Sequence, residues 1–168
     1  MHIRGEVKRA QPGNRQGPEM QILPATMQDI PCLCNLLNQL FSQEAEFTPD
    51  HSAQCRGLQM IIEDPGIGAI LVANENGHVI GMVNLLFTVS TALGGRVALL
   101  EDMVVDKDHR DLGIGSRLLH AAVAYAEKNT VRRITLLTDA DNIDAQRFYF
   151  RHNFSFSAMM PLRRSLSS

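Results

Sequence analysis

The sequence predicts a mixed α/β domain, because its apolar residues follow two different periods. In some stretches they recur every three or four residues, as in a helix, and in others they form short continuous runs of strand length. The chain has 168 residues, of which 45% are hydrophobic, enough for one domain with a core but hardly for two. We therefore expect a single domain over residues 20–168, preceded by a flexible extension over residues 1–19 that is rich in charges, glycine and proline.

The N-terminal part of this domain is predicted to hold a short strand and two helices. A strand at 21–25 precedes Thr26, whose hydroxyl group can cap a helix together with Asp29, as in a capping box. After a break near Pro49, a second helix is expected over residues 52–63, ending at the turn that begins with Asp64.

A meander of three strands follows. Two apolar runs flank the Asn76-Gly77 pair, which suits the positive φ angles of a hairpin turn. The third strand, residues 96–105, carries two adjacent acids, Glu101 and Asp102. Because successive side chains of a strand point to opposite faces, at most one of these acids is expected to face a given pocket.

The C-terminal part is predicted to begin with a long helix from Ile114 to about Asn129. A strand at 134–138 and a short helix at 145–152 come next. Terminal strand segments are expected over 154–157 and 159–166, and their exposed edge would allow a homodimer.

Composition excludes several classes of protein. The 16 Lys and Arg residues against 18 Asp and Glu residues give a net charge of −2, which predicts no nucleic-acid partner. No apolar run approaches the length of a membrane span, so no membrane partner is expected. The near-neutral charge instead favours a small molecule or peptide as the partner. The odd count of three cysteines favours reduced thiols and a cytoplasmic location.

The loop before the long helix is predicted to bind a phosphate group. A strand runs into a loop with Gly113 and Gly115 that opens a helix, so backbone N–H groups and the helix N-terminus converge there, beside Arg110. A Walker A loop would need a lysine and a different spacing, and a dinucleotide fingerprint would need a third glycine where Leu118 stands. ATP and dinucleotide binding are therefore disfavoured.

Two separated motifs resemble those of the GNAT superfamily of acyl-CoA N-acyltransferases. The first is Arg110-x-x-Gly113-x-Gly115, preceded by Glu101-Asp102-Met103-Val104-Val105, which resembles the family's pyrophosphate loop. The second, Asn142-x-x-Ala145-x-x-Phe148-Tyr149-x-x-x-Asn153-Phe154, is similar to the family's downstream segment, with Asn153 at the usual glycine. Asparagine tolerates the left-handed conformation that glycine adopts there. The resemblance covers roughly residues 21–166.

The resemblance implies a mostly antiparallel central sheet flanked by helices, with a splayed pair of parallel strands that binds acetyl-CoA as co-substrate. It also implies that Tyr149 lies near the thioester sulfur, where its phenol would act as the general acid. Because the amine arrives protonated, the reaction also needs a base, for which Glu101 is the first candidate and Asp102 the second; a structural role, paired with backbone or with Arg96, stays open for both acids. The residues implied to bind the cofactor are Met103, Val104, Val105, Arg110, Asp111, Gly113, Ile114, Gly115, Ser116 and Asn142.

The function expected from this resemblance is transfer of an acetyl group to a primary amine by direct attack in a ternary complex. The alternative is a non-catalytic acyl-CoA-binding regulatory module on the same fold, since a fold alone does not establish turnover. Glu44 and Glu46 are candidates for attracting a cationic acceptor. No metal site is expected, because Cys32 and Cys34 diverge on a helix and no second ligand pair follows.

Overall fold

The computed structural model describes residues 20–42 and 50–166, and the predicted extension and Glu44 and Glu46 lie outside this part. In the part described, a five-stranded sheet in the order β1-β2-β3-β4-β5 carries four α-helices. The elements are β1 (Met20–Pro24), α1 (Ile30–Phe41), α2 (His51–Glu63), β2 (Gly68–Glu75), β3 (His78–Ser90), β4 (Gly95–Val105), α3 (Ile114–Lys128), β5 (Ile134–Leu136) and α4 (Ile143–Arg151).

The sheet is antiparallel except at its last pair of strands. Strands β4 and β5 run parallel, and they pair only from Ala98 opposite Ile134 to Leu100 opposite Leu136. Beyond Leu100, β4 continues to Val105 and remains bonded to β3 on one side, while β5 has ended. The other backbone edge of this half of β4 is therefore left open by β5, which confirms the predicted splayed pair.

Local signals in the sequence explain where several elements begin and turn. The Asp29 carboxylate accepts hydrogen bonds from the Thr26 backbone N–H at 2.7 Å and from the Thr26 hydroxyl at 2.8 Å, so the first helix begins with a short 3₁₀ turn before α1. In the β2–β3 hairpin, Asn76 and Gly77 have φ angles of 52° and 87°. These residue types tolerate positive φ, and the predicted turn is confirmed.

Two apolar cores cover the two faces of the sheet. On one face α1 and α2 pack against β2 and β3, and on the other α3 packs against β3 and β4. Complete burial of one leucine side chain contributes roughly 1.5–3 kcal/mol, so each face holds its helices firmly. The fully buried leucines that anchor these faces are Leu33 on α1, Leu85 on β3, and Leu118 and Leu119 on α3.

The predicted terminal strands are wrong for the described residues. After α4 the chain forms no strand as far as Leu166, and Met159, Met160 and Leu162 are more than 80% exposed. Strand β5 is only three residues long and offers little edge to pair with, while Pro161 lacks the N–H that a ladder needs. The surface expected to form a homodimer is therefore not built here, and dimer formation stays a prediction.

No helix in the ranges 20–42 and 50–166 combines the length and the apolar character that crossing a bilayer requires.

Candidate active site

Two concave regions lie along β4, one beside helices α1 and α2 and the other beside the loop that follows β4. The first, here named the α1–α2 cavity, has a volume of about 350 Å³ and lies between α1, α2 and the residues Asn84, Glu101 and Asp102 of the sheet. The second, here named the loop groove, has a volume of about 510 Å³ and lies between the loop that follows β4 and helix α4.

The loop groove is shaped by two residues with positive φ. Asp111 has φ = 63° and Gly113, which precedes the first turn of α3, has φ = 76°. These angles turn the chain so that the free N–H groups at the start of α3 border the groove, where they favour an anion. Seven of the predicted cofactor residues line it, namely Val105, Arg110, Asp111, Gly113, Ile114, Gly115 and Ser116.

The three other predicted cofactor residues lie elsewhere. Val104 is buried in the core beneath α1 and α2, and Met103 packs against the core on the α3 side. The Asn142 side chain caps α4, because its Oδ1 accepts a hydrogen bond from the Ala145 N–H at 3.1 Å. The side chains of these residues therefore have structural contacts in this structure.

Helix α4 supplies a wall of the groove, in which Asp144 and Arg151 join Phe148 of the second motif. Asp144, Phe148 and Arg151 share one face of this helix, and all three line the loop groove. The signal was present in their spacing of four and three residues, which places side chains on the same side of a helix. Arg151 adds a second cation beside Arg110, and together they suit a polyanionic ligand.

The base of the loop is fixed to α1 by one side-chain amide. Gln39 donates from Nε2 to Oδ2 of Asp106 at 3.0 Å, and its Oε1 accepts from the Lys107 N–H at 3.2 Å. The bond from Gln39, followed by the Asp108 N–H, holds the pKa of the Asp106 carboxyl below its usual value. Helix α1, which lines the α1–α2 cavity, is thereby attached to the start of the loop groove.

Both acids of β4 line the α1–α2 cavity, so the prediction that at most one could face a given pocket is wrong. The cause is a β-bulge: Val83 pairs with Met103 and Leu85 pairs with Leu100, which leaves Glu101 and Asp102 together opposite the single residue Asn84. A bulge adds one residue to a strand and breaks the alternation of its side chains.

Burial along β4 shows the same break. Before the bulge, Ala98 and Leu100 pack in the core on the α3 side, and after it Met103 and Val105 pack against that core. Even-numbered residues thus face α3 at the start of the strand, and odd-numbered residues face it at the end. The segment that carries the acids is where the two patterns meet.

Asp102 occupies the more enclosed position of the two acids. Its burial raises its pKa, an effect that the hydrogen bond from Asn84 Nδ2 at 3.2 Å opposes and that the charge of Glu101 reinforces. Glu101 is exposed on the cavity side of the strand. Of the two, Glu101 is therefore the better placed to exchange a proton with water or a bound ligand.

Tyr149 lies on α4 with its hydroxyl group directed at β4. The hydroxyl is 3.9 Å from Sδ of Met103, and the ring packs edge-to-face with Phe154 at 5.6 Å between centroids. Burial raises the pKa of Tyr149 to about 12. The group stays protonated throughout the neutral range, as a proton donor must.

The cysteines form a different cluster from the pair noted in the sequence. Cys32 is exposed, whereas the buried Cys34 has its Sγ 3.0 Å from Sγ of Cys55 on α2, which lies 3.6 Å from Nε2 of His51. Burial raises the pKa of the Cys34 thiol to about 12. The contact joins α1 to α2, and its only trace in the sequence is the four-residue spacing of His51 and Cys55.

Comparison with known proteins assigns this arrangement to a family. The sequence profile of the acetyltransferase (GNAT) family matches residues 31–154, which includes both cavity-forming regions and both motifs. The chain belongs to the GNAT family. The described fold of this GNAT domain, with its parallel β4–β5 pair and helices on both faces, agrees with that assignment.

Relatives of this GNAT domain include acetyltransferases. Streptothricin acetyltransferase A of Bacillus subtilis (strain 168) is 35% identical over 98 residues, which cover 58% of this chain and 53% of that protein. The chain spans about half the length of the curated relatives it matches.

Two solved structures share the fold of this GNAT domain. A possible acetyltransferase from Clostridium difficile 630 has a TM-score of 0.81 at 18% identity, covering 89% of this chain and 99% of that one. Aminoglycoside N-acetyltransferase AAC(6')-Iy in complex with CoA has a TM-score of 0.75 at 18% identity, covering 90% of this chain and 97% of that one. At this identity the likeness shows the fold alone.

Proposed function

We propose that this GNAT domain transfers the acetyl group of acetyl-CoA to a primary amine by direct attack in a ternary complex. The observation that carries the proposal is the open edge of β4. It runs from Glu101, at the α1–α2 cavity, to Val105, at the loop groove. A cofactor in the groove and an acceptor in the cavity would meet along this edge.

The loop groove would hold the pyrophosphate of CoA. Main-chain N–H groups from Gly113 to Ser116 at the start of α3 are free to bond an anion, and the side chains of Arg110 and Arg151 border the same groove. The backbone of Met103, Val104 and Val105 on the open edge would bind the pantetheine arm. These groups match the resemblance to the family, and one structural neighbour was solved with CoA.

The α1–α2 cavity would hold the acceptor amine. Glu101 is our candidate for the base that removes a proton from the amine, directly or through water, because it is exposed and lies at the start of the open edge. Asp102 is the second candidate, and its enclosed position suits it better to attracting a cationic acceptor. Both carboxylates give the cavity a negative field.

Tyr149 would protonate the departing thiolate. Its hydroxyl contacts Met103, a residue of the open edge, and its proton is retained at neutral pH. Backbone N–H groups of the same edge would stabilise the oxyanion that forms when the amine attacks the thioester carbonyl. A thioester is already activated, so orientation and two proton transfers are the contribution required of the protein.

The acceptor is proposed only as a primary amine of a small molecule or peptide. The names of the relatives refer to amine-bearing compounds, streptothricin and an aminoglycoside, and those substrates belong to those proteins. The negative lining of the α1–α2 cavity supports a cationic acceptor in this chain as well.

The test is an acetyl-transfer assay on the purified protein, in which CoA release is followed for a panel of primary amines with acetyl-CoA. We expect release that depends on the amine and an acetylated product of matching mass. Tight CoA binding by calorimetry without release for any amine would instead favour the non-catalytic acyl-CoA-binding module. Absence of CoA binding would overturn both.

A further inference from the structure

Two buried carboxamides of the α1–α2 cavity have polar atoms without a partner. Gln54 on α2 is 8% exposed and Asn84 on β3 is 2% exposed. Among the described residues, nothing bonds Nε2 or Oε1 of Gln54 or Oδ1 of Asn84. An unsatisfied buried polar atom destabilises the fold, so a group that enters the cavity and bonds these atoms would supply what the protein itself does not.

The charges around the cavity restrict what that group can be. Asp50, Glu101 and Asp102 line it, and none of its described lining residues is Lys, Arg or His. A ligand that brings a carboxylate would face three acids and no cation, whereas a ligand that brings an ammonium group would be attracted.

The hydrogen-bonding capacity of the two amides restricts it further. The Nδ2 group of Asn84 already donates to Asp102, so the atoms without any partner are one amide nitrogen, Gln54 Nε2, and two amide oxygens, Gln54 Oε1 and Asn84 Oδ1. A hydroxyl or carboxamide group both donates and accepts, so it can satisfy both kinds of atom. An ammonium group only donates, a carboxylate only accepts, and a methyl group does neither.

We propose that the acceptor is a small aliphatic amine whose amino group lies at Glu101 and Asn84, which face each other at the bulge, and whose chain ends in a hydroxyl or carboxamide group that Gln54 binds. The rest of the lining is largely apolar, with Leu37, Leu58 and Ile61, and it suits a methylene chain. A volume of about 350 Å³ is at the small end of ligand pockets. This acceptor class rests on the proposed acetyl transfer.

The test uses four amines of one chain length that differ only at the far end: aminobutanol, putrescine, pentylamine and γ-aminobutyrate, with shorter and longer homologues of each. We expect the highest kcat/KM for the hydroxyl compound, at least about tenfold above the methyl compound of equal length. The diamine should fall between them and the carboxylate should be the poorest. Equal rates for hydroxyl and methyl compounds at every length would overturn the proposal.

Replacing Gln54 separates a binding role from a structural one. Gln54→Met keeps the size of the side chain and removes its unpartnered atoms, so it should reduce the preference for hydroxyl over methyl to about twofold or less and raise the Tm of the free protein by about 2–4 °C. Gln59→Met is the matched control, because Gln59 lies exposed on the same helix and donates to Glu63 at 2.7 Å. It should leave both quantities unchanged.

The outcomes distinguish the two levels of the proposal. If no amine is acetylated, the proposed function fails and the acceptor class fails with it. If amines are acetylated but Gln54→Met keeps the hydroxyl preference, Gln54 does not bind the hydroxyl group and only the acceptor class is overturned. A lower Tm in Gln54→Met would overturn the acceptor class as well, because Gln54 would then be a structural residue.

Discussion

The loop groove and the α1–α2 cavity are built from different parts of the polypeptide. In the groove, the positive φ angles of Asp111 and Gly113 and the free N–H groups at the start of α3 make the surface, so the main chain contributes most of it. In the cavity, the polar groups are side chains, among them Gln54, Asn84 and Glu101 from α2, β3 and β4. A main-chain site depends on backbone conformation, whereas a side-chain site depends on the identity of each residue.

This difference predicts that single side-chain changes affect the cavity most. Glu101→Gln should lower kcat for the amine about 10²–10⁴-fold, because the amide cannot take the proton of the acceptor, while CoA affinity stays within twofold. Steady-state kinetics and calorimetry measure the two quantities. Glu127→Gln, an exposed change on α3, is the control, and an unchanged kcat in Glu101→Gln would remove Glu101 as the base.

Tyr149 lies on α4, the helix that borders the loop groove, yet it would act by its side chain and so differs from the main-chain groups of the groove. Tyr149→Phe should lower kcat about 10²-fold at unchanged affinity for CoA. Because burial raises the pKa of Tyr149 to about 12, the wild-type rate should show no alkaline decline from this phenol below about pH 11. A normal rate in Tyr149→Phe would exclude it as the acid.

The groove itself should respond to backbone conformation rather than to side-chain size. Gly113→Ala places a Cβ in open space but forces alanine to φ = 76°, at roughly 1–2 kcal/mol, and should weaken CoA binding about tenfold. In Gly115→Ala the new Cβ would lie 3.6 Å from Met103 and 3.7 Å from Phe148, an ordinary contact, so stability should be kept. Calorimetry and thermal melts compare the two, and equal CoA affinity in Gly113→Ala and wild type would contradict the main-chain origin of the site.

The smallest expected effect concerns the enclosed acid of the cavity. Burial raises the pKa of Asp102 above its ordinary value of 3.8, so the folded protein holds this proton more tightly than the unfolded chain does. Raising the pH from 3.8 through the raised pKa therefore costs stability. Asp102→Asn lacks this penalty, so its Tm relative to that of the wild type should rise across that window. A Tm difference that does not change with pH would contradict the buried carboxylate.

The contrast between a main-chain groove and a side-chain cavity also explains which features the sequence could predict. Glycine spacing depends directly on backbone conformation, so the sequence predicts the loop with Gly113 and Gly115, the four helices α1 to α4 and the hairpin at Asn76-Gly77. The φ angle of 65° at Asn153 likewise confirms the left-handed conformation expected at that position. These features are local in the chain.

Features that depend on distant contacts were not predictable in this way. Gln54 is an unremarkable glutamine in the sequence, and only the packing of α2 on β3 and β4 buries it beside Asn84. The terminal apolar residues alternate like a strand, but three residues of β5 give them no partner of adequate length. The prediction that Glu101 and Asp102 point to opposite faces was wrong, because the bulge arises from the pairing of β4 with β3 and is not visible in the sequence of β4 alone.

The bulge also determines which face of the sheet each later side chain of β4 occupies. Every side chain from Met103 onward keeps its side of the sheet only because one additional residue precedes it opposite Asn84. Deleting a single residue there would interchange the two faces of the strand's end, turning Val104 toward α3 and Val105 away from it. The fold should therefore tolerate substitutions in this segment far better than changes of length, and a library of single-residue deletions should find few folded variants there.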